Sequence, residues 1–318
     1  MIMNFYKEIG GFFGLELNNL KEYYPNLISL NSGRNALRYI VRAYCIKNIY
    51  VPYYTCPVIF DALEAENCEI SLYNVDEYFM PVQEFPQDAY VLYTNYYGIC
   101  SLNCELLANK YKNLIVDNAQ SFYSPFFGLA SFYSPRKFFG IPDGGYLVIN
   151  KVLDAKLEQE MSYQRCSHLL KRIDLSSANA TYRDFKENDS SLDGIPIKLM
   201  SNLTKKLLSS IDYEKVKQKR LKNFNFLAQR LDDRNELTIR KGENDVPIVY
   251  PLLIKDEVRR ANLIQSKIYV ATYWPEMEKK CYNQEYELYL QKHLLPLPID
   301  QRYGEKEMKF IVEVINMR

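Results

Sequence analysis

The chain has 318 residues, of which 47% are hydrophobic and 25% are charged, and its formal net charge is +1. This composition is typical of a globular protein with one large core and a smaller second domain. The balanced charge argues against broad attraction to nucleic acid or to an anionic membrane. We interpret the short basic runs at 205–206 and 217–220 as solvated helix faces.

The cysteines and the apolar segments narrow the class of protein further. No apolar run is long enough to cross a bilayer, and the first 17 residues lack the pattern of a signal peptide. The seven cysteines form no Cys-x-x-Cys pair, and there are only two histidines. This usage favours reduced thiols over disulfides and argues against zinc. We therefore expect a cytoplasmic protein without a metal site.

The first half of the chain alternates between helical and strand patterns. Apolar residues at helical spacing predict helices over 35–46, 58–66 and 102–111. Short apolar runs predict strands at 49–51, 70–73, 89–93, 114–116 and 146–149. Strands separated by helices indicate parallel pairing, so we predict a three-layer α/β domain with a mostly parallel sheet. Such sheets bind ligands at the carboxyl ends of their strands, where the clusters at 52–57, 93–98 and 117–120 would lie.

The second half is predicted to hold a smaller unit. The polar stretch 176–194 is rich in Ser, Asn and Asp, which predicts a long loop. Helices are predicted at 213–231, 257–266, 284–291 and 304–315, and strands at 248–254 and 268–272. We therefore predict a large α/β domain over residues 1–205 and a small C-terminal α+β domain over residues 206–318.

Three segments carry residues suited to chemistry. The first is Ser32-Gly33-Arg34, where a predicted helix begins. Backbone N–H groups at a helix start form a natural phosphate seat, although a serine there is usually only a cap. The second is the strand end Asp117-Asn118-Ala119-Gln120. A buried acid at such a place is costly, which favours a positive partner, although an Asp that caps the next turn is the simpler interpretation.

The third segment is the loop around Lys137, which is preceded by Ser131, Ser134 and Pro135 and followed by Phe138 and Phe139. A lysine among aromatic side chains loses part of its hydration, which favours imine formation. The pair Gly144-Gly145 lets the chain turn tightly into the next strand. An isolated lysine is otherwise a surface residue in most cases.

In order and spacing, these segments resemble the DegT/StrS family of sugar aminotransferases, which belong to the fold-type-I pyridoxal phosphate enzymes. The family pattern is Ser-Gly-Thr-x-Ala-Leu, then Asp-x-Ala-Gln at a strand end, then Pro-x-Lys leading to Gly-Gly. The matching segments are 32–37, 117–120 and 135–145. The resemblance continues through 51–55 and ends with the Leu-Pro segment 294–298, so it covers nearly the whole chain.

The resemblance implies roles for individual residues. Lys137 would carry pyridoxal phosphate as a Schiff base, Asp117 would pair with the pyridine nitrogen, and Gln120 would contact the ring hydroxyl. The cofactor phosphate would be held by Ser32, Gly33, Arg34 and a serine before the lysine, for which Ser134 is favoured over Ser131. Dehydratase relatives replace the lysine with histidine, so Lys137 favours the aminotransferase branch.

The chain also departs from the family pattern. It is shorter than most members, and the segment between Gln120 and Phe132 is compressed. Arg34 stands where the family has threonine, and Cys56 stands where the family has the aromatic residue that covers the ring. These changes bear on the acceptor pocket more than on the cofactor. The sequence most closely matches a shortened offshoot with Gly-Gly-Phe-Phe at 10–13 and Ser-Pro-Arg-Lys at its lysine.

The expected reaction moves an amino group from glutamate to a keto-sugar nucleotide for surface-polysaccharide synthesis. The expected assembly is a homodimer in which the region 195–202 closes the partner's site and the stretch 176–194 reaches across a two-fold axis. Two alternatives stay open. One is a pyridoxal phosphate enzyme with a non-sugar substrate, including one that catalyses elimination or racemisation. The other is a cofactor-binding regulatory protein without catalysis.

Overall fold

A seven-stranded sheet organises the first half of the chain. The computed structural model describes residues 10–276 and 285–317. The strands are β1 (Ile28–Leu30), β2 (Asn48–Pro52), β3 (Glu69–Tyr73), β4 (Val91–Thr94), β5 (Leu114–Asn118), β6 (Ala130–Tyr133) and β7 (Gly145–Ile149). Their spatial order is β1-β7-β6-β5-β4-β2-β3. The pairs from β3 to β6 are parallel, whereas β7 is antiparallel to both β6 and β1. The predicted mostly parallel sheet is confirmed.

Helices cover both faces of the sheet and continue into the second half. They are α1 (Gly33–Tyr44), α2 (Pro57–Glu64), α3 (Ser101–Lys110), α4 (Ser167–Leu175), α5 (Ala178–Ser190), α6 (Asn202–Leu208), α7 (Tyr213–Leu231), α8 (Glu257–Gln265), α9 (Glu285–His293) and α10 (Glu305–Asn316). Strands β8 (Val249–Leu253) and β9 (Leu294–Pro298) form an antiparallel pair. Within the described ranges, no helix is both long and apolar enough to span a bilayer.

Strand side chains alternate between two hydrophobic clusters, as the period of two requires. Leu92 and Ile115 belong to the cluster that includes α1 and α2. Val91, Tyr93 and Val116 belong to a second cluster, which includes α3 and also α7, β8, β9 and α10. One apolar core therefore joins the sheet to the C-terminal elements, and the three-layer prediction is confirmed.

The predicted loop over 176–194 is wrong, because α5 occupies most of it. The Ser177 hydroxyl accepts a hydrogen bond from Ala180 N and caps the helix start. Arg183 forms an ion pair with Glu187 one turn later. Only Thr181 and Asn188 are buried in α5, so no apolar stripe marked the helix in the sequence. It packs against α4 as a helical hairpin, α4–α5.

Other differences from the predictions are smaller. The predicted strand 268–272 has the right alternation, because Ile268 and Val270 are buried whereas Tyr269 is exposed. No strand partner pairs with it among the described residues, so it is an extended segment without a ladder. Strands β1 and β6, which are 3 and 4 residues long, were not predicted. The predicted helix 284–291 corresponds to α9, and its first residue, Gln284, lies outside the described residues, as does Cys281.

Candidate active site

The carboxyl ends of β2, β4 and β5 meet at one edge of the sheet. Asp117 on β5 pairs in register with Thr94 on β4, and the Thr94 hydroxyl lies 3.2 Å from that of Thr55, just after β2. The clusters predicted at 52–57, 93–98 and 117–120 are therefore brought together. Behind this edge, Tyr54 and Tyr97 are fully buried, and their hydroxyls hydrogen bond at 2.7 Å.

The start of α1 faces the same edge. Ser32 is the N-cap, and its hydroxyl accepts a hydrogen bond from Asn35 N at 3.2 Å. A Cβ added to Gly33 would lie 3.5 Å from Ser134 Cβ, so the helix start and the lysine loop are in contact. The unpaired N–H groups of the first helical turn and the positive end of the helix dipole suit an anion here.

Gly144 and Gly145 allow this close approach. Gly144 has φ +125°, a conformation that favours glycine, and its N–H donates to Asn31 O at 2.8 Å. A Cβ on Gly145 would lie 2.5 Å from the carbonyl of Ser32 and 2.7 Å from Gly33 N. No side chain fits there, so the glycine pair sets the position of the helix start against β7.

A cavity of about 290 Å³, the cradle cavity, lies between these elements. It is lined by Lys137 and by six further predicted site residues, namely Ser32, Gly33, Arg34, Cys56, Asp117 and Ser134. Ser131 does not line it, because its hydroxyl donates to Phe127 O at 2.9 Å inside the protein. The structure therefore places Ser134, and not Ser131, beside the start of α1.

The Asp117 carboxyl is the buried acid of the cradle cavity. The residue is 4% exposed, and its Oδ1 accepts a hydrogen bond from Ala119 N at 2.7 Å. Burial raises the pKa of this carboxyl, and the positive charge of Lys137 counteracts part of that rise. A cation placed against Asp117 would offset the cost of burying its charge.

Lys137 ends a short 3₁₀ turn, Pro135–Lys137, and its side chain is exposed. The expectation that aromatic neighbours remove water from this lysine is therefore wrong for the protein alone. Phe138 and Phe139 turn instead into the core, where the Arg220 guanidinium packs 4.5 Å from the centre of the Phe138 ring.

Gln120 is the predicted site residue that does not line the cradle cavity. Its side chain is buried, and its Oε1 accepts a hydrogen bond from Tyr97 N at 2.8 Å. Its Nε2 is buried without a hydrogen-bond partner among the described residues. The backbone after β4 thus orients the amide, and its Nε2 remains as a donor without an acceptor among the described residues.

Cys56 is the N-cap residue of α2 and has no side-chain capping bond. Burial raises the pKa of its thiol, and the nearby charge of Lys137 counteracts part of the rise. The thiol is therefore kept in its neutral form, and it lines the cradle cavity together with Val58 and Ile59.

A second, larger cavity of about 540 Å³ meets the cradle cavity at Arg136, Lys137 and Phe185. We call it the arginine cavity, because Arg136, Arg172, Arg220 and Arg302 line it together with Lys137 and the single acid Asp300. Tyr269 and Tyr273 from the extended segment after α8 complete one wall.

The likeness of this chain to known proteins is found in its structure and not in its sequence. No protein-family model matches the sequence, and no curated protein matches it significantly. A DegT DnrJ EryC1 StrS aminotransferase from Brucella abortus is 15% identical, with a TM-score of 0.62 over 91% of this chain and 84% of that chain. Sugar aminotransferase CalS13 from Micromonospora echinospora is 12% identical, with a TM-score of 0.63 over 92% and 87%.

The third structure is an E. coli GDP-4-keto-6-deoxy-D-mannose-3-dehydratase with bound hydrated PLP. It is 14% identical, with a TM-score of 0.64 over 91% of this chain and 87% of that chain. This chain has the fold-type-I architecture. At 12–15% identity the likeness shows the fold alone, so activity has to be argued from the site residues.

The lining of the cradle cavity includes residues that were not predicted from the sequence. Arg136 and, from α5, Phe185 and Asp189 line the cradle cavity. Both terminal nitrogens of Arg136 lie 3.2 Å from Asp189 Oδ1. The adjacency of Arg136 to Lys137 was the available signal, whereas nothing local marked Asp189 because its helix was taken for a loop.

The segment 195–202, predicted to serve a partner's site, is fixed to its own subunit. Asn31 N donates to Lys198 O at 2.9 Å, and Asn35 Nδ2 donates to Pro196 O at 3.0 Å. Ser201 N and its hydroxyl donate to the buried carboxylate of Asp143 at 2.9 and 2.6 Å. These bonds tie the segment to the helix start and to the loop before Gly144, next to the cradle cavity.

Arg220 corrects the interpretation of the basic run 217–220 as a solvated face. It is 2% exposed, its Nε donates to Gln301 Oε1 at 3.1 Å, and its Nη1 donates to Ile248 O at 3.1 Å. Burial lowers the pKa of its guanidinium to about 10, while Asp300 acts in the opposite direction. The residue is still a cation at neutral pH, held inside the protein beside the arginine cavity.

Proposed function

We propose that this chain is a pyridoxal phosphate-dependent aminotransferase that acts on a sugar. The observation that carries the proposal is the cradle cavity, which gathers a lysine, a buried acid and a helix start on a fold-type-I scaffold. Each of these features alone has a simpler explanation. Their convergence on one cavity at the carboxyl edge of the sheet favours a cofactor site.

Three features of the cradle cavity fit pyridoxal phosphate, and so does the buried amide of Gln120, which lies outside its lining. The first turn of α1 and Ser134 would hold the phosphate, and Lys137 Nζ would bind the cofactor covalently. Asp117 would face the ring nitrogen, whose positive charge would offset the buried carboxylate. Gln120 Nε2, which has no partner among the described residues, would donate to the ring hydroxyl. When bound, the cofactor would supply an electron sink for amino transfer.

The protein side of the reaction rests on Lys137. Its free amine would carry a proton on Nζ to and from the reacting carbon of the substrate. The negative charge of Asp117 would keep the ring nitrogen protonated throughout. In the family that the sequence resembles, dehydratases have histidine at the lysine position, so Lys137 favours amino transfer over dehydration.

The finer assignments also belong to this proposal. Glutamate is proposed as the amino donor, and a keto-sugar nucleotide is proposed as the acceptor. The proposed role of the reaction is surface-polysaccharide synthesis. A cytoplasmic location is proposed as well. It is supported by the six cysteines in the described part of the chain, none of which forms a disulfide. A sugar substrate is supported by the structural likeness to CalS13, which is described as a sugar aminotransferase.

A homodimer completes the proposal. The segment 195–202 is tied by hydrogen bonds to elements next to the cradle cavity, and its outer side is proposed to face a second subunit. Apolar side chains are exposed on the adjacent α4, where Leu170 is 57% exposed and Ile173 is 76% exposed. Exposed apolar surface of this kind is typical of an interface.

Two measurements test the proposed chemistry. The purified protein should absorb visible light, and borohydride should fix the cofactor to a peptide that contains Lys137. With glutamate, the absorption should change in a half-reaction and recover when a keto-sugar nucleotide is added. Labelling at a different lysine would refute the site, whereas a bound cofactor without any response to amino donors would support the regulatory alternative.

Sedimentation at micromolar concentration tests the assembly. We expect a dimer, and we expect Ile173→Ser to shift the chain toward monomer, with Val152→Ser as a matched control. Val152 is similarly exposed, at 71%, but lies outside the hairpin α4–α5. A monomer that transaminates at full rate would show that no shared site is needed.

A further inference from the structure

The arginine cavity carries far more positive charge than a plain sugar requires. Its lining includes five cationic side chains and one acidic side chain, Asp300. Arg302 is neutralised by Asp300, with Nε 2.7 Å from Oδ1. Among the described residues, Arg172 has no ion-pair partner, whereas Arg136 is paired with Asp189 and keeps only its Nε without a hydrogen-bond partner. A concave site with convergent cations selects an anionic ligand.

Helix α4 supplies one wall of this cavity. His168, Leu169 and Arg172 lie on one face of the helix, as residues separated by three and four positions do. Arg172 Nη1 and His168 Nδ1 are both buried without a hydrogen-bond partner among the described residues. His168 is 8% exposed and packs edge-on against Phe185, with ring centres 5.9 Å apart. Buried polar atoms without partners are uncommon in native proteins, so these two point to a ligand.

Arg136 stands between the two cavities. Its side chain is 14% exposed, and Asp189 holds its two terminal nitrogens. Its Nε has no hydrogen-bond partner among the described residues. The carboxylate of Asp189 thus fixes the guanidinium plane while one N–H stays available. Such a fixed fork binds oxyanions with little loss of side-chain entropy.

We propose that the arginine cavity is an oxyanion subsite in which Arg136, His168 and Arg172 bind a phosphate or pyrophosphate group of the acceptor. The subsite rests on the proposed function for its place in the reaction, since it opens directly from Lys137. The hairpin α4–α5 builds it: α4 contributes two of the ligating side chains, and α5 contributes Asp189, which positions the third.

A phosphate fits these observations better than a carboxylate of the amino donor. Glutamate is a small molecule, whereas the cavity of about 540 Å³ has the size that a drug-sized ligand occupies. Arginine pairs bidentately with phosphate, and several cations around one group suit a ligand with more than one negative charge. The carboxylates of glutamate are therefore the alternative anions that could occupy the arginine cavity.

Calorimetric titration with inorganic pyrophosphate tests the subsite, with excess pyridoxal phosphate present to fill the cradle cavity. Arg172→Gln is the main variant, because Arg172 lines the arginine cavity and not the cradle cavity. We expect its dissociation constant for pyrophosphate to rise at least tenfold. Arg136→Gln should weaken binding to a similar extent, and both variants should keep their thermal transition.

Arg183→Gln is the matched control. It removes one positive charge from the same hairpin, but Arg183 is 91% exposed and forms a surface ion pair with Glu187. Its affinity for pyrophosphate should equal that of the wild-type protein. If wild-type protein does not bind pyrophosphate, or if Arg172→Gln and Arg183→Gln weaken it equally, the subsite is refuted.

The donor is distinguished from the acceptor by the half-reaction with glutamate. Arg172→Gln should leave the KM for glutamate unchanged and raise the KM for the acceptor. The opposite result, with impaired use of glutamate and unchanged pyrophosphate binding, would assign the cavity to the donor carboxylates and overturn the proposal. Because calorimetry measures binding alone, the subsite and the aminotransferase activity can fail independently.

Discussion

The two cavities that meet at Lys137 are built by different means. The cradle cavity is formed by backbone: strand ends, a helix start, and glycines that let the chain segments touch. The arginine cavity is formed by long charged side chains from α4, α7 and the segment after β9. A backbone-built site is fixed by the fold itself, whereas a side-chain-built site can change its ligand by a few substitutions. Cofactor binding and substrate choice are thus separated within one fold.

Asp117→Asn should cause the largest loss of activity, and it should act through the cradle cavity alone. We expect the variant to bind the cofactor and to lose turnover by on the order of a hundredfold, because an amide cannot stabilise a protonated ring nitrogen. Steady-state kinetics and absorption spectra provide the measurement. Pyrophosphate binding in the arginine cavity should be unchanged.

Asp61→Asn is a suitable control, since Asp61 is exposed on α2 and lines neither cavity. Near-normal turnover in Asp117→Asn would show that a different group faces the ring nitrogen. A loss of pyrophosphate affinity in the same variant would show that the two cavities are not separable.

The same division explains what the sequence could predict. Asp117, Lys137 and the helix start were identifiable because each lies in a short local motif, and motifs record backbone requirements such as the approach of Gly145 to Ser32. Strands β4 and β5 were identifiable because they are buried on both faces and form continuous apolar runs. Gln120 also belonged to a motif, but the motif did not indicate that its Oε1 accepts a hydrogen bond from Tyr97 N.

The arginine cavity could not be predicted in this way. Its lining residues lie as far apart in the sequence as Arg136 and Arg302, and only the tertiary fold brings them together. Arg220 was taken for a surface residue because a single charge inside a basic helix carries no sign of burial. Helix α5 was missed because its polar composition gives no hydrophobic stripe, and with it Asp189, the partner of Arg136, was missed as well.

Gly145→Ala should have an intermediate effect, and it tests whether backbone contact builds the cradle cavity. A methyl group there would lie 2.5 Å from the Ser32 carbonyl, so either β7 or the start of α1 has to move. We expect a loss of stability of about 1–3 kcal/mol, as for other overpacked sites, together with weaker cofactor binding. Denaturant unfolding and cofactor titration provide the measurements.

Gly14→Ala is the matched control, because its methyl group would meet nothing within 4 Å. Pyrophosphate binding should survive in Gly145→Ala if the arginine cavity depends on side chains alone. Cofactor affinity equal to that of the wild-type protein would mean that the helix start does not hold the phosphate.

The smallest of the expected effects concerns the folding stability of the protein without its cofactor. Burial raises the pKa of the Asp117 carboxyl above its value in the unfolded chain, which is about 3.9. The folded state therefore binds the proton more tightly, and its stability falls as pH rises from the unfolded pKa through the folded one. Cofactor-free Asp117→Asn should thus be more stable than wild type at pH 7 and equally stable near pH 3. Thermal unfolding at both pH values measures this difference, and added pyridoxal phosphate should reverse it by supplying a positive partner to the wild-type carboxylate. A cofactor-free variant less stable than wild type at pH 7 would mean that the charge of Asp117 is already balanced by the protein, and that Asp117 has a structural role instead.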